Sequence, residues 1–308
     1  MGMVLRAAIA RLPNEPGVYR FRDTRGRVLY LGRAVDLRRR VASYWGDLRD
    51  RRHLRRMVPQ IEGIEAVACD SAHEAAWLER NLLERSKPRW NRTRGVEVPV
   101  YIRVGREPGA PRLSVEHEGT GIGEDDLFGP YLGGNKARLA VSALDRVLPL
   151  RYTGKRLSGS ERDMARARGV AAPDRETLLA TVTALLHRQP AAVETVKQSL
   201  VQQRDRACAG LAFELAARIH EEIEAIDWVV AEQKVTVPHP PADCDAFGWA
   251  DGLLVHFEIR QGRLCGWKQR ACEPDAARRF LDRTPVTWRA FAARSAHLAR
   301  LLTPVGTP

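Results

Sequence analysis

The sequence predicts an α/β (α+β) protein that begins with a small domain of strands and helices. Two apolar runs, residues 17–23 and 27–33, flank the turn residues Thr24-Arg25-Gly26 and indicate a β-hairpin. Residues 65–70 form a third apolar run, and residues 71–87 have the spacing of an amphipathic helix. A compact α/β unit ending near Gly95 is therefore expected.

The helices of this first domain are predicted from their start signals. Asp36 is a plausible N-cap for a short basic helix over residues 37–45. Residues 51–57 indicate a second basic helical piece. Ser71-Ala72-His73-Glu74 has the Ser-x-x-Glu form of a capping box, and the helix that it opens is expected to run to about Lys87, before a proline.

The region after residue 95 is mixed. Residues 98–104 and 111–118 indicate short strands, and a Gly-Gly turn follows Leu127-Phe128-Gly129-Pro130-Tyr131. A helix is expected from Asn135, and residues 151–200 are expected to be mostly helical.

The C-terminal part begins with an amphipathic helical stretch over residues 204–234, in which apolar residues recur at i+3 and i+4. Prolines at 238–241 break it, and residues 253–260 and 264–270 indicate a hairpin around Gln261-Gly262. The Arg-rich residues beyond have no predicted element. Four regions are expected: 1–95, 96–200, 201–236 and 237–308.

Charge is the strongest compositional signal. The 308-residue chain has a formal net charge of +12, and residues 1–95 carry 21 Lys and Arg against 11 Asp and Glu, or +10 of that total. A concentrated positive field attracts polyanions such as nucleic acid. The alternative is the Arg-rich composition of a GC-rich genome, which explains the residue type but not the uneven distribution.

The five cysteines are scattered without the spacing of a zinc or iron–sulfur site. Cys265 and Cys272 are interpreted as small core or strand residues. The sequence shows no signal peptide and no apolar run near the ~18 residues of a membrane span. A cytoplasmic protein with reduced thiols and no membrane association is expected.

Candidate catalytic groups gather in the first domain. Glu79 falls near the middle of the apolar stripe of the helix over 71–87, where a carboxylate requires an ion pair or a metal. Arg40 and Tyr44 are four residues apart and share a helix face, and Tyr19 and Tyr30 lie on adjacent predicted strands. Separately, these residues also fit a buried Glu–Arg pair, a solvated basic helix and ordinary strand aromatics.

In combination, the pattern resembles the GIY-YIG endonuclease domain, in the form found in the UvrC and Cho excision-repair nucleases. Three segments carry the likeness: Leu12-Pro13-x-x-Pro16-Gly17-Val18-Tyr19; Tyr30-Leu31-Gly32-Arg33-Ala34-x-x-Leu37-x-x-Arg40-x-x-Ser43-Tyr44; and Glu74-Ala75-x-x-Leu78-Glu79-x-Asn81-Leu82 with Pro88-Arg89-x-Asn91. The resemblance implies a three-stranded antiparallel sheet with flanking helices.

The resemblance also implies roles for individual residues. Glu79 is the metal ligand for one Mg²⁺ or Mn²⁺, and Tyr30 is the general base with Tyr19 beside it. Arg40 stabilises charge on the phosphate, and Tyr44 and Asn91 position groups. Arg33 stands where the family usually has Lys. Arg33 and Arg40 are candidates for lowering a tyrosine pKa, and the basic residues expected to bind DNA are Arg38, Arg39, Arg52, Arg55 and Arg56.

Beyond residue 95 the likeness to UvrC is looser. The cysteines that hold an iron–sulfur centre in UvrC are missing after Arg151-Tyr152, so no cluster is expected. Residues 211–219 resemble the helical hairpin that docks UvrB, with Phe213 and Ile219 as partner-binding residues; a plain amphipathic hairpin is the alternative. The C-terminal region resembles the segment before UvrC's second nuclease, whose catalytic part is not expected.

The expected function is a metal-dependent, structure-specific DNA endonuclease of nucleotide excision repair that makes the single incision on the 3′ side of a lesion in damaged duplex DNA. UvrB is the candidate protein partner. Two alternatives stay open. One is a non-catalytic DNA-binding repair scaffold, and the other is a nuclease acting on another branched or modified nucleic acid. The oligomeric state is not predicted.

Overall fold

A computed structural model of the chain describes residues 2–46, 49–92, 98–107, 111–117, 127–237 and 242–303. The chain forms two compact units. Unit 1 combines Met1–Val96 with Glu232–Pro308, and unit 2 is Glu97–Ala231. Helices, sheets and their order thus agree with the α/β class, while the four regions expected from the sequence stay a prediction.

The first sheet of unit 1 is antiparallel, with strand order β2-β1-β3. Its strands are β1 (Gly17–Arg22), β2 (Val28–Ala34) and β3 (Gly63–Ala68). The predicted hairpin and third strand are confirmed, although β3 begins two residues earlier than expected. Gly26 takes φ 71° in the turn, a left-handed conformation that glycine adopts without strain.

Helices cover this sheet. They are α1 (Met3–Arg11), α2 (Leu37–Ala42) and α3 (Ala72–Arg85), with 3₁₀ segments at Ser43–Trp45, Arg49–Arg56 and Val58–Gln60. Asp36 caps α2 as predicted, since its carboxylate accepts the Arg39 N–H at 2.9 Å. α1 was not predicted.

The start of α3 differs in part from the predicted capping box. The Ser71 hydroxyl accepts the Glu74 N–H at 3.0 Å, as expected. The Glu74 carboxylate, however, accepts the backbone N–H groups of Asp70 and Lys234 at 2.8 and 2.9 Å. Glu74 is fully buried, although the helical wheel places it outside the apolar stripe. α3 ends at Arg85 rather than near residue 87.

The C-terminal part of unit 1 has a second antiparallel sheet, ordered β7-β8-β9. Its strands are β7 (Cys244–Ala250), β8 (Leu253–Arg260) and β9 (Arg263–Ala271). The β8–β9 hairpin and the strand or core placement of Cys265 and Cys272 are confirmed. The last region was wrongly left without elements, because α9 (Pro274–Leu281) and α10 (Val286–Leu302) occupy it.

The two sequence segments of unit 1 share packing surfaces. Leu298 and Leu302 of α10 belong to the same buried cluster as Tyr19 and Phe21. On the other side, the Asn81 amide donates to Thr236 Oγ1 at 2.9 Å and to the Val235 carbonyl at 3.2 Å. α3 itself contacts β1 and β2 of the first sheet and β9 of the C-terminal part.

Unit 2 has its own sheet and core. The sheet is antiparallel with order β5-β4-β6, formed by β4 (Pro99–Gly105), β5 (Arg112–Glu116) and β6 (Leu127–Leu132). The helices are α4 (Gly134–Val147), α5 (Gly159–Ala167), α6 (Arg175–Leu186), α7 (Pro190–Ala209) and α8 (Phe213–Val230), with short 3₁₀ turns at Leu150–Thr153 and Ala172–Asp174.

The predicted helical stretch over 204–234 is two helices. α7 ends at Ala209 with Gly210 as its C-cap, and Leu211 takes φ 57° before α8 begins. The hairpin therefore starts at Pro190, eleven residues before the expected boundary near 201. Within the described residues, no helix is long and apolar enough to cross a bilayer.

Candidate active site

Three tyrosine side chains converge on one face of the first sheet. Tyr19 on β1 and Tyr44 after α2 share a hydroxyl–hydroxyl hydrogen bond of 2.7 Å, and Tyr44 also hydrogen-bonds Tyr30 of β2. Tyr19 pairs with Gly32 across the strands, so Tyr30 is its diagonal neighbour on the same face. The antiparallel register thus brings the three phenol groups together.

Gly32 makes room for this cluster. A Cβ at this position would lie 2.7 Å from Tyr19 Oη and 2.7 Å from Tyr30 Cε1. Both distances are far below a normal contact, so any side chain here would displace the two rings. Glycine is required by the close approach of the tyrosines to the strand backbone.

Arg40 joins the cluster from α2. Its Nε donates to Tyr19 Oη at 3.3 Å, and its guanidinium lies 5.7 Å from the centre of the Tyr44 ring. The predicted common face of Arg40 and Tyr44 is therefore confirmed. Tyr19 and Tyr44 are almost fully buried, whereas Tyr30 and Arg40 are partly exposed. The exposed pair is the one that a substrate can reach.

Glu79 approaches the cluster from α3. Its Oε1 accepts the backbone N–H of Arg33 at 3.2 Å, and its Oε2 lies 3.4 Å from Arg33 Nε. The Glu79 side chain is 21% exposed, so the carboxylate faces the edge of the core and remains accessible. The sequence left open a buried Glu–Arg pair as the alternative; Glu79 does pair with Arg33, but the pair is partly exposed rather than buried.

Asn91 fixes the backbone of β2. Its amide donates to the Leu31 carbonyl at 2.7 Å and its carbonyl accepts the Leu31 N–H at 3.0 Å. Trp90 N–H donates to the Leu29 carbonyl at 3.2 Å, so residues 90–91 act as a short extra edge on β2. Asn91 therefore holds the strand that carries Tyr30 and Gly32.

The pKa values of the three clustered tyrosines are raised rather than lowered. Burial is the largest cause that raises the pKa of Tyr19, Tyr30 and Tyr44 above that of free tyrosine. The Tyr44 and Glu79 side chains raise the pKa of Tyr30 further, and Arg40 lowers it by less. Arg40 therefore acts in the expected direction on the pKa of all three tyrosines, but desolvation outweighs its charge. The same effect of Arg33 stays a prediction.

The donor set around Glu79 fits a hard divalent cation. Over the described ranges, no group of three or more His, Cys, Asp or Glu side chains could hold a metal ion. One accessible carboxylate suits Mg²⁺, which keeps several waters and uses one or two protein carboxylates. The residues present are therefore compatible with a single ion held by Glu79.

The basic residues expected to bind DNA all lie on the surface of unit 1. Arg38 and Arg39 are exposed on α2, and Arg38 Nε also donates to the Leu12 carbonyl at 2.7 Å. Exposed side chains on the following 3₁₀ segment are Arg52, Arg55 and Arg56. These residues are free of the apolar core and can meet phosphates.

The two residues expected to bind a partner, Phe213 and Ile219, differ in exposure. Phe213 is 63% exposed at the start of α8, next to the exposed Leu211 and Leu215. Ile219 is 1% exposed and belongs to the core of unit 2. Its assignment as a partner-binding residue is wrong, because the apolar spacing of α8 marks the face that packs on α4 and α7 within the unit.

Sequence reasoning missed three polar residues that the fold buries. Glu74 accepts two backbone N–H groups, Asn81 bonds the chain at residues 235–236, and Arg20 of β1 is 6% exposed. The alternation of β1 places Arg20 opposite Tyr19, which was a usable signal. Asn81 bonds residues 235–236, and Glu74 bonds Lys234 in addition to the nearby Asp70. These distant partners lie more than 150 residues away in the chain, so local patterns carried no sign of them.

Comparison with known proteins finds similarity over the same residues that form the candidate site. The UvrC-like GIY-YIG domain model matches residues 15–92. UvrABC system protein C of Synechocystis sp. is 31% identical over 85% of this chain and 44% of its own length, and that of Synechococcus elongatus is 32% identical over 85% of this chain and 43% of its own length. The chain thus spans under half the length of these curated relatives.

Among solved structures, the GIY-YIG N-terminal endonuclease domain of UvrC from Thermotoga maritima, bound to its catalytic magnesium, is 31% identical. The match covers 30% of this chain and 99% of that domain, with a TM-score of 0.27. Through residues 15–92, the chain belongs to the UvrC-like GIY-YIG family.

Proposed function

We propose that this chain is a metal-dependent DNA endonuclease of nucleotide excision repair that makes one incision, on the 3′ side of a lesion. The observation that carries the proposal is the convergence of Tyr30, Arg40 and Glu79 on one accessible edge of the sheet. Phosphodiester hydrolysis needs an activated water and stabilisation of the charge that develops on the phosphate. These three side chains offer both on one site.

In this proposal, Glu79 holds one Mg²⁺ or Mn²⁺. The ion, when bound, supplies Lewis-acid polarisation of the phosphate and charge for the leaving oxygen. Arg40 presents its guanidinium to the equatorial oxygens. Tyr30 orients the attacking water through its hydroxyl, and its raised pKa keeps it a neutral phenol that hydrogen-bonds the water rather than a phenolate that removes its proton.

The buried tyrosines are positioning residues. The hydroxyl of Tyr44 bonds Tyr19 and Tyr30, and the hydroxyl of Tyr19 accepts from Arg40. This chain of hydrogen bonds links the partly exposed Tyr30 to the partly exposed Arg40 through the core. Loss of either buried hydroxyl is expected to loosen both groups rather than remove a contact to substrate.

The test is incision of end-labelled duplex carrying one bulky lesion, with Mg²⁺ or Mn²⁺, in the presence and absence of UvrA and UvrB. Glu79→Gln is expected to abolish the cut, and Glu84→Gln, an exposed carboxylate on the same helix, is the matched control and is expected to retain it. If Glu79→Gln cuts like the unaltered chain, the assignment fails. A cut on the 5′ side would overturn the proposed polarity.

A second candidate is a DNA-binding repair scaffold without catalysis. The observation that favours it is the Arg33–Glu79 pair, in which the carboxylate already has a cationic partner. Binding to lesion DNA that is independent of metal, with no cleavage of duplex, flap or branched substrates, would support the scaffold. Metal-dependent cleavage of a branched substrate alone would instead point to a nuclease with another target.

UvrB is the proposed protein partner, and the exposed apolar residues Leu211, Phe213 and Leu215 at the turn between α7 and α8 are the proposed docking surface. Exposed apolar side chains in a cluster are typical of such surfaces. Phe213→Asp is expected to abolish capture by immobilised UvrB, whereas Met164→Asp, an equally drastic change at an exposed site of α5, is not. Equal capture of both variants would refute the surface. We also propose that the protein acts in the cytoplasm.

A further inference from the structure

A cavity of about 320 Å³ lies within unit 1, on the side of the first sheet opposite Tyr19. β1, β2 and α3 form one wall and β9 forms the other. The lining includes Arg20, Leu31, Leu82, Arg85, Trp267 and Lys268. Glu79 and the tyrosine cluster are not part of this lining, so the cavity is separate from the proposed nuclease site.

Two buried donors in the lining lack acceptors. Arg20 uses Nε to bond Glu65 and Nη1 to bond the Trp267 carbonyl at 2.8 Å, but its Nη2 has no hydrogen-bond partner among the described residues. Trp267 Nε1 is likewise unpartnered within the described part of the chain. The two side chains are only 6% and 4% exposed, and the guanidinium lies 3.8 Å from the indole ring centre.

These groups define the chemistry of an occupant. Guanidinium and indole N–H groups donate and never accept, so the occupant must offer acceptor oxygens. A buried donor without a partner is rare and points to a ligand, ion or water that completes it. The apolar walls from Leu31 and Leu82 leave room for more than a bare ion.

Charge at the mouth favours an anion. Arg85 Nη1 and Lys268 Nζ lie 2.5 and 2.6 Å from the two carboxylate oxygens of Glu258. Hydrogen bonds from Lys268 and then Arg85 lower the pKa of Glu258 to about 2, so this group remains charged and its oxygens are occupied. With Arg20, the lining carries three cations against one carboxylate.

We propose that this cavity binds a phosphate group, attracted by Arg85 and Lys268 at the mouth, and that Arg20 Nη2 and Trp267 Nε1, which are closed to solvent in this structure, turn to donate to it on binding. A phosphate has several acceptor oxygens around one centre, which suits donors that approach from different directions. The apolar walls fit a sugar or base attached to that phosphate. Its source is either a free nucleotide or the backbone of DNA, and both present the same chemistry to these four residues.

The experiment follows the indole ¹H–¹⁵N signal of Trp267 in the full chain, identified by its loss in Trp267→Phe. The probes are inorganic phosphate, thymidine 5′-monophosphate and a 12-base-pair duplex without divalent metal, each compared with chloride at equal ionic strength. We expect a saturable shift with phosphate-bearing probes and none with chloride. A shift with the mononucleotide but not the duplex identifies a nucleotide site; saturation by the duplex at lower concentration identifies a backbone contact.

Variants at the mouth make the proposal sharper. Lys268→Gln is expected to weaken phosphate binding by about fivefold or more, since each cation near a phosphate contributes about 1 kcal/mol. Glu258→Gln is expected to tighten it by a similar factor. Arg263→Gln, an exposed cation on the same strand that pairs with Glu84, is the matched control and should change nothing.

Three outcomes would overturn the proposal: no shift with any probe, the same shift with chloride, or unchanged affinity in both Lys268→Gln and Glu258→Gln. The first two mean that water alone fills the cavity. The Glu79→Gln variant is expected to bind phosphate here like the unaltered chain. A failed incision test and a failed phosphate test therefore remain distinguishable.

Discussion

Replacing Arg33 by glutamine is expected to tighten binding of a divalent metal to Glu79. The guanidinium competes with the ion for the same carboxylate, because Arg33 Nε lies 3.4 Å from Glu79 Oε2. At that distance, an effective dielectric of about 20 gives roughly 5 kcal/mol of attraction as an upper bound. The Arg33 side chain is 42% exposed, so solvent screening reduces the net contribution to about 1 kcal/mol. Removal of the competitor is then worth about a 5- to 10-fold tighter Kd.

The assay is titration of the DNA-free chain with Mn²⁺, with the free ion quantified by its EPR signal. Arg27→Gln removes an equal charge from the exposed Arg27, which pairs with Asp23 in the β1–β2 turn, and is expected to leave the Kd unchanged. Glu79→Gln is expected to abolish specific binding. If Arg33→Gln binds Mn²⁺ as the unaltered chain does, or more weakly, the two cations do not compete, and the reasoning about this pair is refuted.

Three further predictions concern stability. Gly32→Ala is expected to lower the free energy of unfolding, measured in urea, by about 1–3 kcal/mol and to lower incision more than tenfold, because the added Cβ would meet Tyr19 Oη at 2.7 Å. A fully active variant would contradict this. Burial raises the pKa of the Asp145 carboxyl from 3.8 to about 6, so the folded state binds its proton more tightly than the unfolded state does. The free energy of unfolding therefore falls as pH rises through that range. Asp145→Asn removes the cost of ionising this buried carboxyl, up to about 3 kcal/mol, and is therefore expected to raise Tm at pH ~7 but not at pH ~4. An equal rise in Tm at both pH values would contradict this. Glu222→Ala removes the buried carboxylate that lies 2.6 Å from Arg146. The variant is expected to be less stable in thermal denaturation by about 3 kcal/mol. A loss below about 1 kcal/mol would contradict this.

The sequence predicted the elements whose signals are local. The hairpin of β1 and β2, the Asp36 cap and the shared face of Arg40 and Tyr44 each depend on residues within one or two turns of chain. Motif spacing also identified Glu79, although spacing alone did not reveal that Arg33 lies against it.

What the sequence did not predict depends on distant contacts. Glu74 reads as a solvent-facing residue on a helical wheel until residues 232–236 cover that side of α3. Ile219 reads as a docking residue until α4 and α7 bury it. Burial of Tyr30 determines the direction of its pKa shift, and burial is a property of the folded unit rather than of the tyrosine and its cationic neighbours.

The division of unit 1 into two sequence segments affects how the protein is made. The last proposed catalytic residue, Asn91, leaves the ribosome long before α10, which supplies Leu298 and Leu302 to the cluster that holds Tyr19. Synthesis of the intervening unit 2 takes on the order of ten seconds, and domains generally fold as units during translation. The first part of unit 1 therefore stays without part of its apolar core while the complete second unit folds, and its exposed apolar surface must not aggregate in that time. The complete fold of unit 1 is expected to form only after the final helix has been synthesised.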